Sequence, residues 1–298
     1  MPIIGIIASS KKRNLAGIAG YFVGGLIGGT NQTSIFKYTF GGDTTSTLSA
    51  TIGTARYFAS GVTNYDVAGY ALGGYSTVSA SQQLGDKMTY SNETRSAITI
   101  TFYSTESAGC TNSGTAGYQI AGFGFNADQN TTHKITFSND TFSTGTNALI
   151  TARGIGPYAN DKGNRGYYGS GTSNTTTMYY YQFSNDTTAS ISGTLSQVSY
   201  AQCVSDEGTA FIATATTFGS SPSALNKFPF STETRTTLSA TLNATGPAGA
   251  ASNLGSYGLY PLHNSNNSEK ITYSTDTVSS ATAFSANKNS ACSWTRAA

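Results

Sequence analysis

Only two histidines, His133 and His263, are available for proton transfer or metal binding, and they stand 130 residues apart in Asn/Thr- and Asn/Ser-rich surroundings. Neither belongs to a metal-ligand spacing, which for a structural site needs four side chains clustered in short intervals. The three cysteines, Cys110, Cys203 and Cys292, are odd in number and far apart, so they read as small buried strand residues rather than a disulfide framework. Serine is abundant, but no serine is singled out by a His or Asp at useful spacing. These residues point to no enzyme, no metal and no cofactor.

Two other sets of ionisable residues recur instead. Acids stand at Asp43, Glu93, Asp140, Asp186, Glu233 and Asp276, and lysines at Lys37, Lys87, Lys134, Lys227 and Lys270, with Tyr180 in the equivalent place of a fourth copy. A ring of carboxylates would attract cations, and a ring of lysines an acidic glycan. A calcium site, however, needs six or more oxygens converging on one point, and one acid per repeat is too dispersed. The acids are therefore expected to cap tight turns. The lysines are expected to lie along their strands and pair with neighbouring carboxylates.

Both sets belong to one eight-residue pattern: KYTFGGDT, KMTYSNET, KITFSNDT, YYQFSNDT, KFPFSTET and KITYSTDT. Its aromatic falls at Phe40, Tyr90, Phe137, Phe183, Phe230 and Tyr273, about 47 residues apart. A second element precedes each copy, with Gly-Tyr at Gly20-Tyr21, Gly69-Tyr70, Gly117-Tyr118 and Gly166-Tyr167 and weaker versions starting at Gly208 and Gly255. A third, rich in Ser, Thr and Ala, follows each acid and runs to Arg56 in the first copy and Arg153 in the third. Strand, loop, aromatic strand, tight turn, strand, loop and short strand make one propeller blade. Period-two alternation sets Lys37 and Thr39 on one face and Tyr38 and Phe40 on the other, giving each blade a large packing anchor. Gly24-Gly25 and Gly73-Gly74 suit a strand near a crowded axis. The segment Asn289 to Trp294 matches those that precede the other Gly-Tyr strands, so it is expected to close the ring beside Gly20 to Gly25.

The double glycine, the aromatic strand and the strand leading to Arg resemble kelch repeats, although the usual second aromatic, a Trp, is missing and Trp294 is the sole tryptophan. The fold expected is all-β, a six-bladed kelch-like β-propeller over residues 17–298, with a short N-terminal anchor over 1–16.

Composition agrees. Charged residues are only 10% of the chain and the formal net charge is +2, so a phosphate-binding surface is disfavoured and no nucleic-acid partner is expected. Nineteen tyrosines and fifteen phenylalanines separate the chain from disordered low-charge sequences. The leader MPIIGIIASS carries its basic residues, Lys11, Lys12 and Arg13, after the apolar run rather than before it, which is not the order of an export signal. The run is also too short to span a bilayer.

Ile3, Ile4, Ile6 and Ile7 make the densest β-branched aliphatic cluster in the chain and, with Pro2, are expected to form an extended anchor outside the propeller. This leader, set before Gly/Ser/Thr/Asn/Tyr-rich repeats, resembles the N-terminal tags of structural proteins of tailed phages, those of marine and cyanobacterial hosts especially. That resemblance implies a tail- or fibre-associated virion component, docked to other virion proteins through its N-terminus, with an outward propeller and the possibility of self-association. The aromatic stretch Gly154 to Gly171 supplies Tyr158, Arg165 and Tyr168 as a candidate rim for a host-surface glycan. The rival readings are a free carbohydrate-binding propeller and a bacterial surface adhesin, the latter requiring export.

Overall fold

A computed structural model describes residues 17–76, 83–102, 108–111, 114–124, 127–149, 151, 156–161, 164–169, 176–194, 200–206, 208–215, 223–243, 250–253, 255–287, 289 and 291–297. The expected anchor, residues 2 to 7 included, lies outside them. The described residues form six four-stranded antiparallel sheets and one two-residue hairpin, Leu26–Ile27 with Thr30–Asn31, with no helix among them. The sheets are the blades of a β-propeller. From the axis outwards, blade 2 is Ser60–Asn64, Ala68–Leu72, Leu84–Thr89 and Thr94–Thr99. Blades 3 to 6 repeat that order, starting from Ala108–Thr111, Gly156–Asp161, Tyr200–Ser205 and Ala251–Asn253.

Blade 1 takes its inner strand from the far end of the chain. Cys292–Ala297 runs antiparallel to Gly17–Val23, with Trp294 opposite Tyr21 and Cys292 opposite Val23, and Asn289 bridges Leu26. Each inner strand touches those of the two neighbouring blades, and Cys292–Ala297 touches both Ser60–Asn64 and Ala251–Asn253, so the ring is closed. A second latch crosses the outside of the joint. Thr45 and Thr282 donate hydroxyl hydrogen bonds to the carbonyls of Ala283 and Asp43, and Phe284 is buried against Phe22.

The glycine of Gly-Tyr has a specific steric cause. A Cβ on Gly69 would lie 2.0 Å from the Trp294 indole, one on Gly117 2.8 Å from Val62, and one on Gly258 2.1 Å from Val204. In each case the side chain comes from the inner strand of the preceding blade, lying flat on the glycine. Gly24-Gly25 and Gly73-Gly74 serve a different purpose from the one expected. They follow the second strand instead of lining the axis, and all four take positive φ as the chain leaves the sheet. Residues 208 and 255 also need a change of frame. Lys227 is opposite Phe211 and Lys270 opposite Leu259, so Ala210-Phe211 and Gly258-Leu259 are the true counterparts of Gly-Tyr.

Antiparallel order gives the ring two unlike ends. One carries the four-residue hairpin turns that end in the recurrent acids, together with the short connections between inner and second strands; this is the turn end. The other carries the longer connections, such as 24–33, 52–59 and 262–267; this is the loop end. Gly17 starts, and Ala297 finishes, at the turn end, where they pair with each other.

Candidate functional site

The two recurrent charge sets meet between blades. In the third strand the lysine faces half-outward while the residues directly before and after it are buried, as the alternation requires. Each amine reaches the turn acid of the following blade. Lys37 meets Glu93 at 2.6 Å, Lys87 meets Asp140 at 2.7 Å and Lys134 meets Asp186 at 3.2 Å. Lys227 meets Asp276 at 2.8 Å, and Lys270 closes the circle on Asp43 at 2.7 Å. Blade 4, with Tyr180 in the lysine position, uses Arg165 from the adjacent strand. Its guanidinium lies 4.3 Å from the centre of the Tyr180 ring and bonds Glu233 at 2.8 Å.

The same carboxylates accept hydrogen bonds from the second-strand tyrosines: Tyr21 to Glu93, Tyr70 to Asp140, Tyr118 to Asp186 and Tyr167 to Glu233. Burial raises the pKa of the Tyr21 and Tyr70 hydroxyls, with the adjacent carboxylates adding to it, so both remain donors. Each amine also sits over an aromatic face, at 5.3 Å for Lys134 on Tyr118 and 5.5 Å for Lys87 on Tyr70. Beneath them, Tyr21 stacks on Tyr90, Tyr70 on Phe137, Tyr118 on Phe183, Tyr167 on Phe230 and Phe211 on Tyr273. One repeated clamp thus joins every blade to the next.

All six acids have φ between 48° and 55°, the left-handed region that disfavours side chains. Retaining a carboxylate there, where Gly or Asn would suit the turn, matches its use across the joint. At Asp43 burial works to raise the carboxyl, but hydrogen bonds from Lys270, Tyr38 and the Thr282 N–H outweigh it and hold the group well below the usual carboxylate range.

Arg56, 1% exposed, is bound to Asp86 at 2.6 Å and to the Ala71 carbonyl at 3.2 Å. Arg95 and the Gly53 N–H share the same carboxylate. Glu269 in blade 6 likewise accepts from the backbone N–H of Asn243. These buried acids hold the chain where it leaves the preceding blade. Arg153, the expected counterpart of Arg56, lies outside the described residues.

Of the three residues expected in the glycan rim, two side chains are described. Tyr168 is 0% exposed, stacked on Tyr179 and accepting the Leu149 N–H, so its faces are withdrawn from solvent. Arg165 is committed to the clamp at the turn end. Tyr158 falls in the inner strand Gly156–Asp161, and its side chain lies outside the described residues.

His133 stacks on Phe102 with ring centres 3.7 Å apart, and burial pulls its pKa down to about 4. Cys292 is buried, and burial pushes its thiol up to about 12. Among the described residues no group of His, Cys, Asp and Glu side chains is placed to hold a metal ion, and no helix is long and apolar enough to cross a membrane.

One further group carries no repeat or motif in the sequence. Tyr57, Phe58 and Tyr75 gather at the loop end, with Tyr57 centred 4.8 Å from Phe58 and 5.3 Å from Tyr75. No protein-family model matches the chain, and no curated protein matches it.

Proposed function

We propose that the chain is a non-enzymatic structural component of a virion, tail- or fibre-associated, with a kelch-like propeller that other virion proteins hold through residues 1–16. The observation that carries this reading is the polarity of the ring. The leader is joined to Gly17 at the turn end, and the longer connections, with their varied side chains, stand at the opposite end. A particle gripping the leader would present the loop end outward, free for a host-surface glycan. The recurrent ionisable groups support the non-enzymatic part, since they are spent on blade joints. The leader's isoleucines are suited to strand addition on a partner. Mass spectrometry of purified particles tests the reading: the chain should be present, and a variant lacking residues 2 to 13 should fold but be absent. Particles without the full-length chain, or with the deletion variant at normal level, would refute it.

A further inference from the structure

We propose that Tyr57, Phe58 and Tyr75 form a binding platform for neutral sugar rings at the loop end, where blade 1 passes into blade 2. The proposal rests on the reading of the loop end as the outward, ligand-bearing side. Aromatic side chains in this molecule otherwise pack mainly between blades, but these three belong to none of the six clusters of buried side chains that fill the ring. Each is half-buried, and the Tyr57 ring is inclined by 50° to both of the others. Such a group offers tilted faces to the flat apolar side of a pyranose, the usual way aromatic residues bind sugars.

The platform is rigidly held. Tyr57 and Tyr75 exchange both backbone hydrogen bonds, at 3.0 and 2.7 Å. Gly74, with φ +105°, lets the chain pass where a Cβ would stand 3.0 Å from the Arg56 side chain. Arg56 is itself pinned beneath by Asp86. Phe58 has φ 55°, a conformation unfavourable for a bulky residue, and it belongs to none of the described buried clusters. Strain kept at a partly exposed aromatic points to a ligand rather than to the fold.

The chemistry of the surroundings selects the ligand. Between Ile52 and Ser60, and between Gly73 and Ser76, the only charged side chain is Arg56, which is 1% exposed and held by Asp86, a carboxylate it shares with Arg95, so neither connection offers an accessible charge of its own. A neutral saccharide fits this better than a sialylated or sulfated one. A donor without a partner lies in the same loop layer: the buried Asn31 Nδ2, one residue from Gln32, whose carbonyl accepts the Arg56 N–H.

The test titrates the full-length protein with cellotriose, maltotriose and lactose, and with sialyllactose as the charged control, by calorimetry and tyrosine fluorescence. At least one neutral sugar should saturate with Kd on the order of 1 mM, as for a small ligand with few contacts. Tyr57→Ala and Tyr75→Ala should each weaken it about tenfold or more. Phe58→Gly should weaken binding while leaving the melting temperature equal or higher, because glycine relieves the backbone. A purely structural cluster would instead give a lower melting temperature for Phe58→Gly and no sugar-dependent signal. Absence of saturable neutral-sugar binding, binding unchanged in all three variants, or tighter binding of sialyllactose would overturn the proposal. Tyr57→Ala should still enter particles at the normal level, so failure of the virion reading registers in the particle assay and failure of the platform in the titration.

Discussion

Replacing Asp140 by glycine sets two effects of the interblade clamp against each other. Asp140 sits at φ 55°, so glycine relieves a backbone cost of about 1 kcal/mol. The same substitution removes the Lys87 ion pair at 2.7 Å and the Tyr70 hydroxyl bond at 2.8 Å. The pair is only partly sheltered, with side-chain exposures of 22% and 28%, so its loss costs about 1 kcal/mol rather than the several expected of a buried pair. A hydrogen bond to a charged acceptor is worth about 1.5–3 kcal/mol, the lower end applying here because water can reach the vacated space. The net expectation is a destabilisation of about 1–2 kcal/mol, or a melting temperature lower by about 2–6 °C for a chain of this size. Asp140→Asn, which tolerates the turn and keeps an acceptor for Tyr70, should cost less than Asp140→Gly. Urea and thermal melts on the wild type, both variants and Lys87→Met measure this, and Lys87→Met combined with Asp140→Gly should be less than additive. If Asp140→Gly is more stable than the wild type, the carboxylates are not there to join blades, and a ring of acids kept for an external cation regains its case.

Further outcomes are expected elsewhere in the ring. Arg165→Met should destabilise by about 1–2 kcal/mol in the same melts, and adding Tyr180→Lys should recover most of it by supplying the cation that other blades use. The lowered pKa of His133 means that stability is full above about pH 6.5 and falls as the pH drops towards 4, by about 2–3 kcal/mol, because only the unfolded chain takes the proton readily. His133→Phe should remove that slope between pH 6.5 and 4 in pH-dependent urea melts. Below pH 4 a further loss should appear as Asp43 is protonated, since its folded pKa is depressed and its contribution disappears through that range. Deleting residues 289–298 exposes the edge of Gly17–Val23 and removes Trp294 from its seat on Gly69, so it should abolish the cooperative melt of the intact ring.

The repeat was legible because a blade joint needs the same side chains each time. Phe40, Tyr90 and their counterparts recur at a fixed place in a two-residue alternation, and the acids follow at a fixed turn position. Which blade each lysine would reach was not legible. The partner lies in the next blade, about 50 residues on or, for Lys270, at the other end of the chain, and depends on how neighbouring sheets twist, not on any local pattern. Arg165 was obscured for a related reason: it occupies a different strand from the lysines it replaces, and only the pairing of Tyr167 with Tyr180 brings it to the same point. That pairing also explains why Arg165 and Tyr168, close in sequence and set among loop-forming residues, end as clamp and core. Adjacent positions in a strand face opposite ways, and both faces of a blade are covered. The Tyr57, Phe58 and Tyr75 group joins two connections from different strands, and no periodicity marks it. The shifted glycines of blades 5 and 6 were hidden because Ala210 replaces one glycine and the Tyr257 ring stands two residues before the usual place.

The central claim, that the turn end faces the particle and the loop end faces out, is tested most directly by accessibility of one epitope tag at two positions. Gly28-Gly29 lies at a hairpin tip of the loop end and Gly41-Gly42 in a turn of the opposite end, both exposed and with room around them. In the free protein an antibody should bind the tag at either place. On purified particles it should bind the tag at Gly28-Gly29 and fail to bind the tag at Gly41-Gly42. Equal binding at both positions, or binding at Gly41-Gly42 alone, would contradict the account.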